Sequence, residues 1–470
     1  MTVSKSKAWV SPSGKGLDDF IFEETREVSL AAMSDEALYQ LELENLFGMG
    51  WNLLGHESEI PAPNDYMVRP IGEDLVIVQR DRAGEIHVSL NVCAHRGMRV
   101  ALGEYGNTAV HKCIYHGWAF RPNGDFIGAP VDKEKMHGEI CSKAELGLTK
   151  ARMHLYGGLI FATWNIDGPS FEEYLGDAKF YFDMLWNRTN RGLEVLGAPQ
   201  KVSVDCNWKC SGEQSGGDGF HTLTLHRWLV EAGLHGAGDD SDGSDPSDMA
   251  PAMYGINVSA NGHNARCIPI EQTFKVAKNM SVENMTTEER LQLLPPPGIT
   301  KELVPELYEH LSKEQIELLV HAAPQVGGIF PNLNFLFVYA PQPDGEVLGA
   351  MAIHIIVPKG VDKSEFWTWI FAEKDCPEEI KEKMLRNAVQ QVGTSGLIEQ
   401  DDTDTWPHIT LASRGFKGRQ KMTLKYQAIL GENKPEGWPG GGKVYNGFSK
   451  DDTQWEWWLA YQKAMSQDHA

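Results

Sequence analysis

Long apolar runs, secretion signals and paired cysteines are all scarce in this sequence. No run of about 18 apolar residues occurs, so no membrane-spanning helix is expected. The first residues, "MTVSKSKAWVSPSGKG", lack the apolar centre of a signal peptide. Seven cysteines among 470 residues are too few, and odd in number, for a disulfide framework. These absences predict a cytoplasmic protein with reduced thiols, in which clustered cysteines are first considered as metal ligands.

Positive charge is also scarce, because 43 lysines and arginines stand against 65 aspartates and glutamates. The formal net charge of −22 argues against nucleic acids and anionic membranes as partners. A length of 470 residues exceeds one typical domain, and the 41% apolar content allows a sizeable core. We therefore expect a globular protein of two domains.

Local patterns along the chain predict both helices and strands. "SDEALYQLELENLFG" (residues 34–48) predicts an amphipathic helix. Short alternating runs between residues 51 and 164 predict a compact β domain. Later segments mix predicted strands, such as "NLNFLFVYAP" and "LGAMAIHIIVP", with predicted helices, such as residues 301–321. The acidic stretch 236–251 has no periodicity and predicts a mobile loop.

A first candidate metal centre consists of "CAHRG" and "CIYHGW", which contain Cys93-x-His95 and Cys113-x-x-His116. Two short Cys/His pairs on tight loops suit a metal. Zinc is one interpretation, although zinc sites usually pair Cys with Cys and His with His. One cysteine and one histidine on each loop instead fit a two-iron cluster, in which one iron takes both thiolates and the other both imidazoles.

Three residues flank these ligands: Lys112, Tyr115 and Trp118. We expect their side chains to pack the loops rather than to carry electrons.

A second candidate centre lies in "GEQSGGDGFHTLTLH", which contains His221 and His226. A zinc hydrolase spaces its histidines at i and i+4 with a glutamate base, so the i, i+5 spacing argues against one. The segment is predicted to be helical, and positions i and i+5 lie about 140° apart on a straight helix. Both histidines can reach one metal only if the helix is distorted or the metal lies beside a helix end. An iron held by two histidines and a carboxylate would leave positions open for O2.

Both centres resemble those of the Rieske non-heme iron aromatic-ring-hydroxylating dioxygenases, large (alpha) subunit. The first matches Cys-x-His-x17-Cys-x-x-His in every element. The second matches Asn-x-Lys…Glu-x4-Asp-x2-His-x4-His through Asn207, Lys209, Glu213, Asp218, His221 and His226. "GLIEQDDTDTW" resembles the family's carboxylate segment, and "ELENLFGMGWNLLGHESEIP" and "GGIFPNLNFL" extend the resemblance over most of the chain.

This resemblance implies the ligands of two iron centres. A Rieske [2Fe–2S] cluster is held by Cys93, His95, Cys113 and His116. A mononuclear Fe(II) is held by His221, His226 and Asp402. Asp401 and Asp404 are the alternatives to Asp402 as the carboxylate ligand. If they are not ligands, we expect them to be solvated acids at a helix terminus.

Asp218 is the implied catalytic residue. In the resembling family it links the mononuclear site to a Rieske histidine of a neighbouring subunit, here His221 to His95 or His116. Alternatively, Asp218 only accepts a hydrogen bond from His221.

The implied fold is α+β. Residues 46–166 form an all-β Rieske domain, and residues 1–45 and 167–470 form a catalytic domain whose antiparallel sheet is surrounded by helices in a helix-grip-like arrangement. The implied assembly is α3β3 with a small beta subunit, or α3, and a ferredoxin and/or a flavin reductase supplies electrons.

The implied activity is O2- and NAD(P)H-dependent cis-dihydroxylation of an aromatic ring. A monooxygenase or demethylase with the same irons, and a non-enzymatic Rieske electron carrier, are alternatives.

The candidate substrate pocket contains Gln214, Ser215, Val392 and Ile398. Because the last three are small where bulky aromatic residues can stand, we expect a roomy pocket for a polycyclic arene. Ser215 with Arg227 or Arg266 would instead suit an aromatic carboxylate such as a phthalate, although both arginines are more readily explained by surface or loop salt bridges. The acidic stretch 236–251 is either a lid or a disordered insertion.

Overall fold

The computed structural model describes residues 9–12, 14–130, 142–231, 255–271, 274, 280–341, 347–428, 431–447 and 450–466. The described chain divides into two compact units, one formed by Leu43–Phe171 and the other by Met1–Glu42 with Glu172–Ala470. The domain limits at residues 46 and 166 stay a prediction. The acidic stretch 236–251 lies outside the described residues.

The N-terminal segment supplies two short strands and a helix: β1 (Ile21–Phe22), β2 (Glu27–Ser29) and α1 (Glu36–Leu41). Asp35 caps α1, because its carboxylate accepts the Leu38 N–H at 3.0 Å. The helix continues as a π-helical turn over Glu42–Phe47. The predicted helix over residues 34–48 is therefore confirmed, with Asp35 as its N-cap.

The unit Leu43–Phe171 is built from short antiparallel strands. These are β3 (Asn52–His56), β4 (Asp65–Ile71), β5 (Asp74–Arg80), β6 (Ile86–Leu90), β7 (Tyr105–Asn107), β8 (His111–Lys112), β9 (Ala119–Phe120), β10 (Phe126–Gly128), β11 (Arg152–Tyr156) and β12 (Leu159–Thr163). They form sheets in the orders β6-β5-β4-β7, β11-β12-β3 and β10-β9-β8. Apolar residues at alternate positions, such as Val76 and Val78 of β5, fill the core between strands.

The other unit combines helices with one large sheet. Its helices are α2 (Phe171–Leu175, across the limit of the unit), α3 (Lys179–Trp186), α4 (Lys209–Ser215), α5 (Arg227–Glu231), α6 (Thr287–Leu293), α7 (Val304–His310), α8 (Lys313–Ala322), α9 (Glu378–Val392), α10 (Glu399–Arg414), α11 (Phe416–Lys421) and α12 (Asp452–Met465). Its strands are β13 (Leu193–Val195), β14 (Gln200–Val204), β15 (Ile256–Ala260), β16 (His263–Pro269), β17 (Ala323–Ile329), β18 (Leu333–Pro341), β19 (Val347–Pro358), β20 (Ser364–Glu373), β21 (Thr423–Lys425) and β22 (Lys443–Asn446).

The large sheet is antiparallel, in the order β13-β20-β19-β18-β17-β16-β15-β22, and β14 also pairs with β20. Helix α9 packs against β19 and β20. Ala350 and Ala352 of β19 lie in one buried cluster with Ala388 of α9, and such small side chains allow close packing of helix on sheet. The predicted helix-covered antiparallel sheet is confirmed.

One helical prediction needs correction. Residues 301–321, predicted as a single run, form a 3₁₀ turn (Lys301–Leu303) followed by α7 and α8. Ser312 interrupts the run, because its hydroxyl caps α8 by accepting the Gln315 N–H at 3.2 Å.

None of the described helices is both long enough and apolar enough to cross a bilayer.

Candidate metal centres

The two cysteine–histidine loops share one backbone geometry. In each, the cysteine N–H donates to the carbonyl five residues later, and a glycine N–H four residues later donates to the cysteine carbonyl, at 2.8–2.9 Å. These glycines, Gly97 and Gly117, have φ of +74° and +76°, in the left-handed region that favours glycine. The repeated turn explains why each ligand pair is followed by glycine in the sequence.

The thiols and imidazoles of these loops differ in burial. Cys93 and Cys113 are each 2% exposed and belong to an apolar cluster, whereas His95 and His116 are only partly buried. The two imidazole centroids are 4.5 Å apart. Burial raises the pKa of the Cys93 thiol, and the adjacent Cys113 thiol raises it further. Two adjacent sulfurs inside and two adjacent imidazoles outside fit a cluster with one cysteine-ligated and one histidine-ligated iron.

The aromatic neighbours have distinct environments. Trp118 is 3% exposed and stacks on His95, with centroids 4.8 Å apart and planes 7° from parallel. Tyr115 lies 3.8 Å from the His116 ring but is 59% exposed, and Lys112 is exposed as well. The expected packing role therefore holds for Trp118 and not for Lys112.

The structure also brings His221, His226 and Asp402 together, with one ligand atom of each within 4.8 Å of the others. His221 Nε2 is 3.9 Å from Oδ1 of Asp402, and His226 Nε2 is 3.6 Å from Oδ2. In the described part of the chain, Oδ1 of Asp402 is buried and accepts no hydrogen bond. Two imidazoles and a carboxylate whose buried oxygen lacks a donor fit a divalent iron.

A break in the helix accommodates the i, i+5 spacing. His221 begins a 3₁₀ turn (His221–Leu223), and His226 immediately precedes α5. The two rings meet edge to face with centroids 5.0 Å apart. The prediction of a helix through both histidines is therefore wrong, because the chain changes direction between them and turns both rings to one side.

Each histidine of this group also faces a second carboxylate through Nδ1. His221 Nδ1 is 3.4 Å from Oδ2 of Asp218, and His226 Nδ1 is 3.3 Å from Oδ2 of Asp401. Asp218 Oδ1 also accepts the His221 N–H at 3.2 Å. Burial lowers the pKa of His226, but hydrogen bonds and charges of Asp402 and Asp401 raise it above its ordinary value overall. Asp401 is thus a partner of His226 rather than a solvated acid, whereas Asp404 is exposed.

Two further carboxyl groups lie close to this group, with Glu399 buried and Glu213 partly buried. Burial, with the charge of Asp218, raises the pKa of Glu213 to about 8, and Glu213 accepts the Gln454 amide N–H at 2.7 Å. Glu399 lies 3.6 Å from Nε2 of His354, and burial and Asp402 raise its pKa well above the ordinary value. Burial lowers the pKa of His354 to about 3.

A buried ion pair fixes α4, the helix that precedes the histidines. Glu42 is bonded by Lys209 Nζ at 2.5 Å, by Trp208 Nε1 at 2.6 Å and by the Tyr461 hydroxyl at 2.5 Å. Lys209 and Glu42 are 1% and 0% exposed. The sequence shows Lys209 in a motif, but only the fold reveals its partner 167 residues away.

The four candidate pocket residues fall into two pairs. Val392 and Ile398 pack on the apolar cluster that contains Ala350, Ala352, Ile370 and Ala388. On α4, the Gln214 amide oxygen accepts the Trp406 indole N–H at 2.8 Å, and the Ser215 hydroxyl donates to the Ser211 carbonyl at 2.7 Å. The Ser215 donor is thus committed to its own helix.

The two candidate arginines differ in environment. Arg266 is buried on β16, where its Nε donates to Oδ1 of Asn257 at 3.2 Å. Burial lowers its pKa to about 10, and the charge of Asp218 opposes that shift. A surface salt bridge is therefore excluded for Arg266. Arg227 is partly exposed at the start of α5.

Comparison with known families covers both units. Residues 50–143 match the Rieske [2Fe–2S] domain, and residues 171–423 match the catalytic domain of the ring-hydroxylating alpha subunit. The second match accounts for most of the chain beyond the cluster loops. It excludes the alternative of an electron carrier without a catalytic domain.

Individual relatives point the same way. The chain is 34% identical to the biphenyl 2,3-dioxygenase alpha subunit of Rhodococcus jostii (strain RHA1) over 406 residues, 86% of this chain and 81% of the relative. It is 29% identical to the N,N-dimethyl phenylurea N-demethylase alpha subunit of Sphingobium sp. (strain YBL2) over 437 residues, 92% and 90% of the two chains. The crystal structure of naphthalene 1,2-dioxygenase from Rhodococcus sp. bound to indole superposes with a TM-score of 0.82 and 32% identity, over 94% of this chain and 95% of that one.

Proposed function

Because this chain belongs to the family of ring-hydroxylating dioxygenase alpha subunits, we propose that it cis-dihydroxylates an aromatic hydrocarbon of two or more rings. As a member of the family, it is an oxidoreductase that uses a Rieske [2Fe–2S] cluster, a mononuclear iron and O2, and receives electrons from NAD(P)H through partner proteins. The overall reaction converts an arene, O2, NAD(P)H and a proton to a cis-dihydrodiol and NAD(P)+. We place it in the cytoplasm, where NAD(P)H is available.

The proposed ligands follow from the geometry of the two centres. Cys93 and Cys113 hold the inner iron of the cluster, and His95 and His116 the outer one. The mononuclear iron is held by His221, His226 and Asp402. An iron held by these residues would supply open coordination positions for the activation of O2.

Asp218 is proposed to connect the two kinds of centre between subunits. Its carboxylate accepts the His221 backbone N–H at 3.2 Å and lies 3.4 Å from Nδ1 of that ring, and a second acceptor position can receive an imidazole N–H of His95 or His116 of a neighbouring subunit. Burial raises the pKa of Asp218, yet its hydrogen bond with His221 and the charge of that ring lower it overall, so it stays an acceptor. This role requires a trimer, as α3 or as α3β3 with a small beta subunit.

The proposed substrate class is inferred from the apolar surroundings of Val392 and Ile398. Alanine and branched aliphatic side chains surround both residues, which favours a ring system without charge. The Ser215 donor is bonded to its own helix, so it does not offer a partner to a carboxylate. The relatives named for biphenyl, chlorobenzene and naphthalene support an uncharged arene as the substrate class.

Product analysis tests this proposal. The purified chain, with a ferredoxin and a flavin reductase of this enzyme class, is incubated with NADH, ¹⁸O2 and either naphthalene, biphenyl or phthalate. We expect cis-dihydrodiols of the hydrocarbons that carry two ¹⁸O atoms, and no phthalate product. Turnover of phthalate alone would contradict the substrate class.

Monooxygenation or N-demethylation is the second candidate, because the phenylurea demethylase subunit is similar over nearly the whole chain. The same assay distinguishes it, since a dimethyl phenylurea substrate would lose a methyl group and only one atom of O2 would enter the organic product.

A further inference from the structure

The imidazole of His226 lies between neighbouring carboxylates of a single helical turn. Its Nε2 faces Asp402 at 3.6 Å, and its Nδ1 faces Asp401 at 3.3 Å. Successive residues of a helix point about 100° apart, so one turn of α10 can present a carboxylate to each ring nitrogen. The ring is thereby held from both sides by the helix that supplies the proposed third ligand.

Trp228 adds a second hydrogen bond to this arrangement. Its indole N–H donates at 2.5 Å to Oδ2 of Asp401, the same oxygen that faces His226. An indole N–H is only a donor and cannot bind a metal, so its contribution is to hold the carboxylate. Because the Asp401 side chain is 20% exposed, this bond keeps the carboxylate turned toward the ring rather than toward solvent.

We propose that Asp401 positions His226 for metal binding and that the Trp228 indole N–H fixes Asp401 in that orientation. An Nδ1–H donated to Asp401 leaves the Nε2 lone pair directed at the metal position and makes this nitrogen a better ligand. The proposal rests on the assignment of His226 and Asp402 as iron ligands made above.

Asp218 and Asp401, the carboxylates that face the Nδ1 atoms of the two histidines, have different roles under this proposal. Asp218 is expected to act on a neighbouring subunit, whereas the bonds of Asp401 to His226 and Trp228 lie within one chain. Loss of Asp401 should therefore weaken metal binding, and loss of Asp218 should leave metal bound while interrupting electron transfer.

Metal titration of the full chain tests the proposal without relying on turnover. The mononuclear site is emptied by mild chelation under anaerobic conditions and titrated with Co(II), whose visible bands report affinity and ligand geometry. The Rieske absorption serves as the folding control. Asp401→Ala should weaken Co(II) binding about 10- to 100-fold, and Asp401→Asn and Trp228→Phe should weaken it about 10-fold or less, with altered Co(II) bands.

A matched control lies on the same helix. Asp404→Asn changes an exposed aspartate of α10 in the same way and should keep wild-type affinity and bands. Wild-type binding in both Asp401→Asn and Trp228→Phe would overturn the proposal, and Trp228→Phe carries the test if the Asp401 variants fold poorly. His226→Ala tests the ligand assignment separately from the positioning role of Asp401. Retention of Co(II) by this variant would contradict the assignment of His226 as a ligand.

Discussion

The two metal centres are assembled from the sequence in opposite ways. The cluster loops take all four ligands from 24 consecutive residues, Cys93 to His116, and repeat one tight turn twice. The mononuclear group joins His221 and His226 to Asp402, 176 residues beyond the second of them. The first centre depends on local backbone geometry, whereas the second depends on how α10 packs beside α4.

This difference explains where supporting residues occur. The cluster histidines have an aromatic neighbour each, Trp118 and Tyr115. The mononuclear group instead has carboxylates behind both histidines and the buried ion pair of Lys209 and Glu42 under α4. A centre built from distant segments needs such contacts to hold its ligands in register.

Removal of the distant ligand should have the largest effect. Asp402→Ala should lower iron by about one per chain and reduce turnover to background, while the Rieske spectrum persists. Iron analysis with visible absorption measures both. Loss of the Rieske bands in this variant would show that the two centres do not depend on separate ligand sets.

The buried ion pair should matter next, through stability. Lys209→Met leaves the Glu42 charge buried without its cation, and should lower the free energy of unfolding by about 3–5 kcal/mol. Urea unfolding, with hydrogen exchange of α4 and of the cluster loops, measures the loss and its location. Lys313→Met is the control, because Lys313 is 84% exposed and its pair with Glu317 should contribute less than about 1 kcal/mol. Equal effects of both substitutions would contradict the anchoring role.

Asp218→Asn should separate metal binding from electron transfer. The amide keeps the size of the side chain, so both centres should stay loaded, but turnover should fall about 100-fold. Stopped-flow reoxidation of the reduced Rieske cluster, with substrate and O2, measures the transfer. Wild-type reoxidation would remove Asp218 from the proposed bridge.

The effect of Glu213 should be visible as a pH dependence of the free energy of unfolding. Its pKa is raised to about 8 by burial and by Asp218, above the usual value of 4.5. The folded state therefore keeps a proton that the unfolded state loses, and the free energy of unfolding falls as pH rises between these two values, by up to about 1.4 kcal/mol per pH unit. The contribution of Glu213 to the free energy of unfolding is fully present below the usual glutamate pKa of 4.5.

Replacement of Glu213 should flatten that dependence. Glu213→Gln should gain stability relative to wild type as the pH is raised from about 5 to about 8, measured by urea unfolding at each pH. Glu382→Gln, at an exposed position of α9, should leave the wild-type slope unchanged. A wild-type slope in Glu213→Gln would place the titrating group elsewhere.

More of the cluster site than of the mononuclear site could be predicted from the sequence, because residue spacing reports local turns and not long-range packing. Residue spacing alone reports a local turn, so the cluster loops and their glycines could be anticipated from "CAHRG" and "CIYHGW". The interruption of the helix between His221 and His226 could be anticipated only as a condition of their spacing, because helical periodicity does not reveal where tertiary contacts override it. Asp401 was predicted to be solvated for a similar reason.

The direction of the Asp401 side chain depends on long-range packing. Contacts such as the Trp406 indole on Gln214 hold α10 beside α4, and these join residues 192 positions apart. The partners Trp228 and Glu42 were both missed, although Glu42 begins the resembling segment "ELENLFGMGWNLLGHESEIP". For Trp228, the only local signal in the sequence was its position two residues after the candidate ligand His226.

Metal analysis of the purified wild-type chain tests the presence of two separate iron centres most directly. We expect about three irons per chain, a Rieske EPR signal from two of them, and selective loss of the third upon mild chelation. About two irons with no chelatable third, or zinc in place of iron, would contradict it.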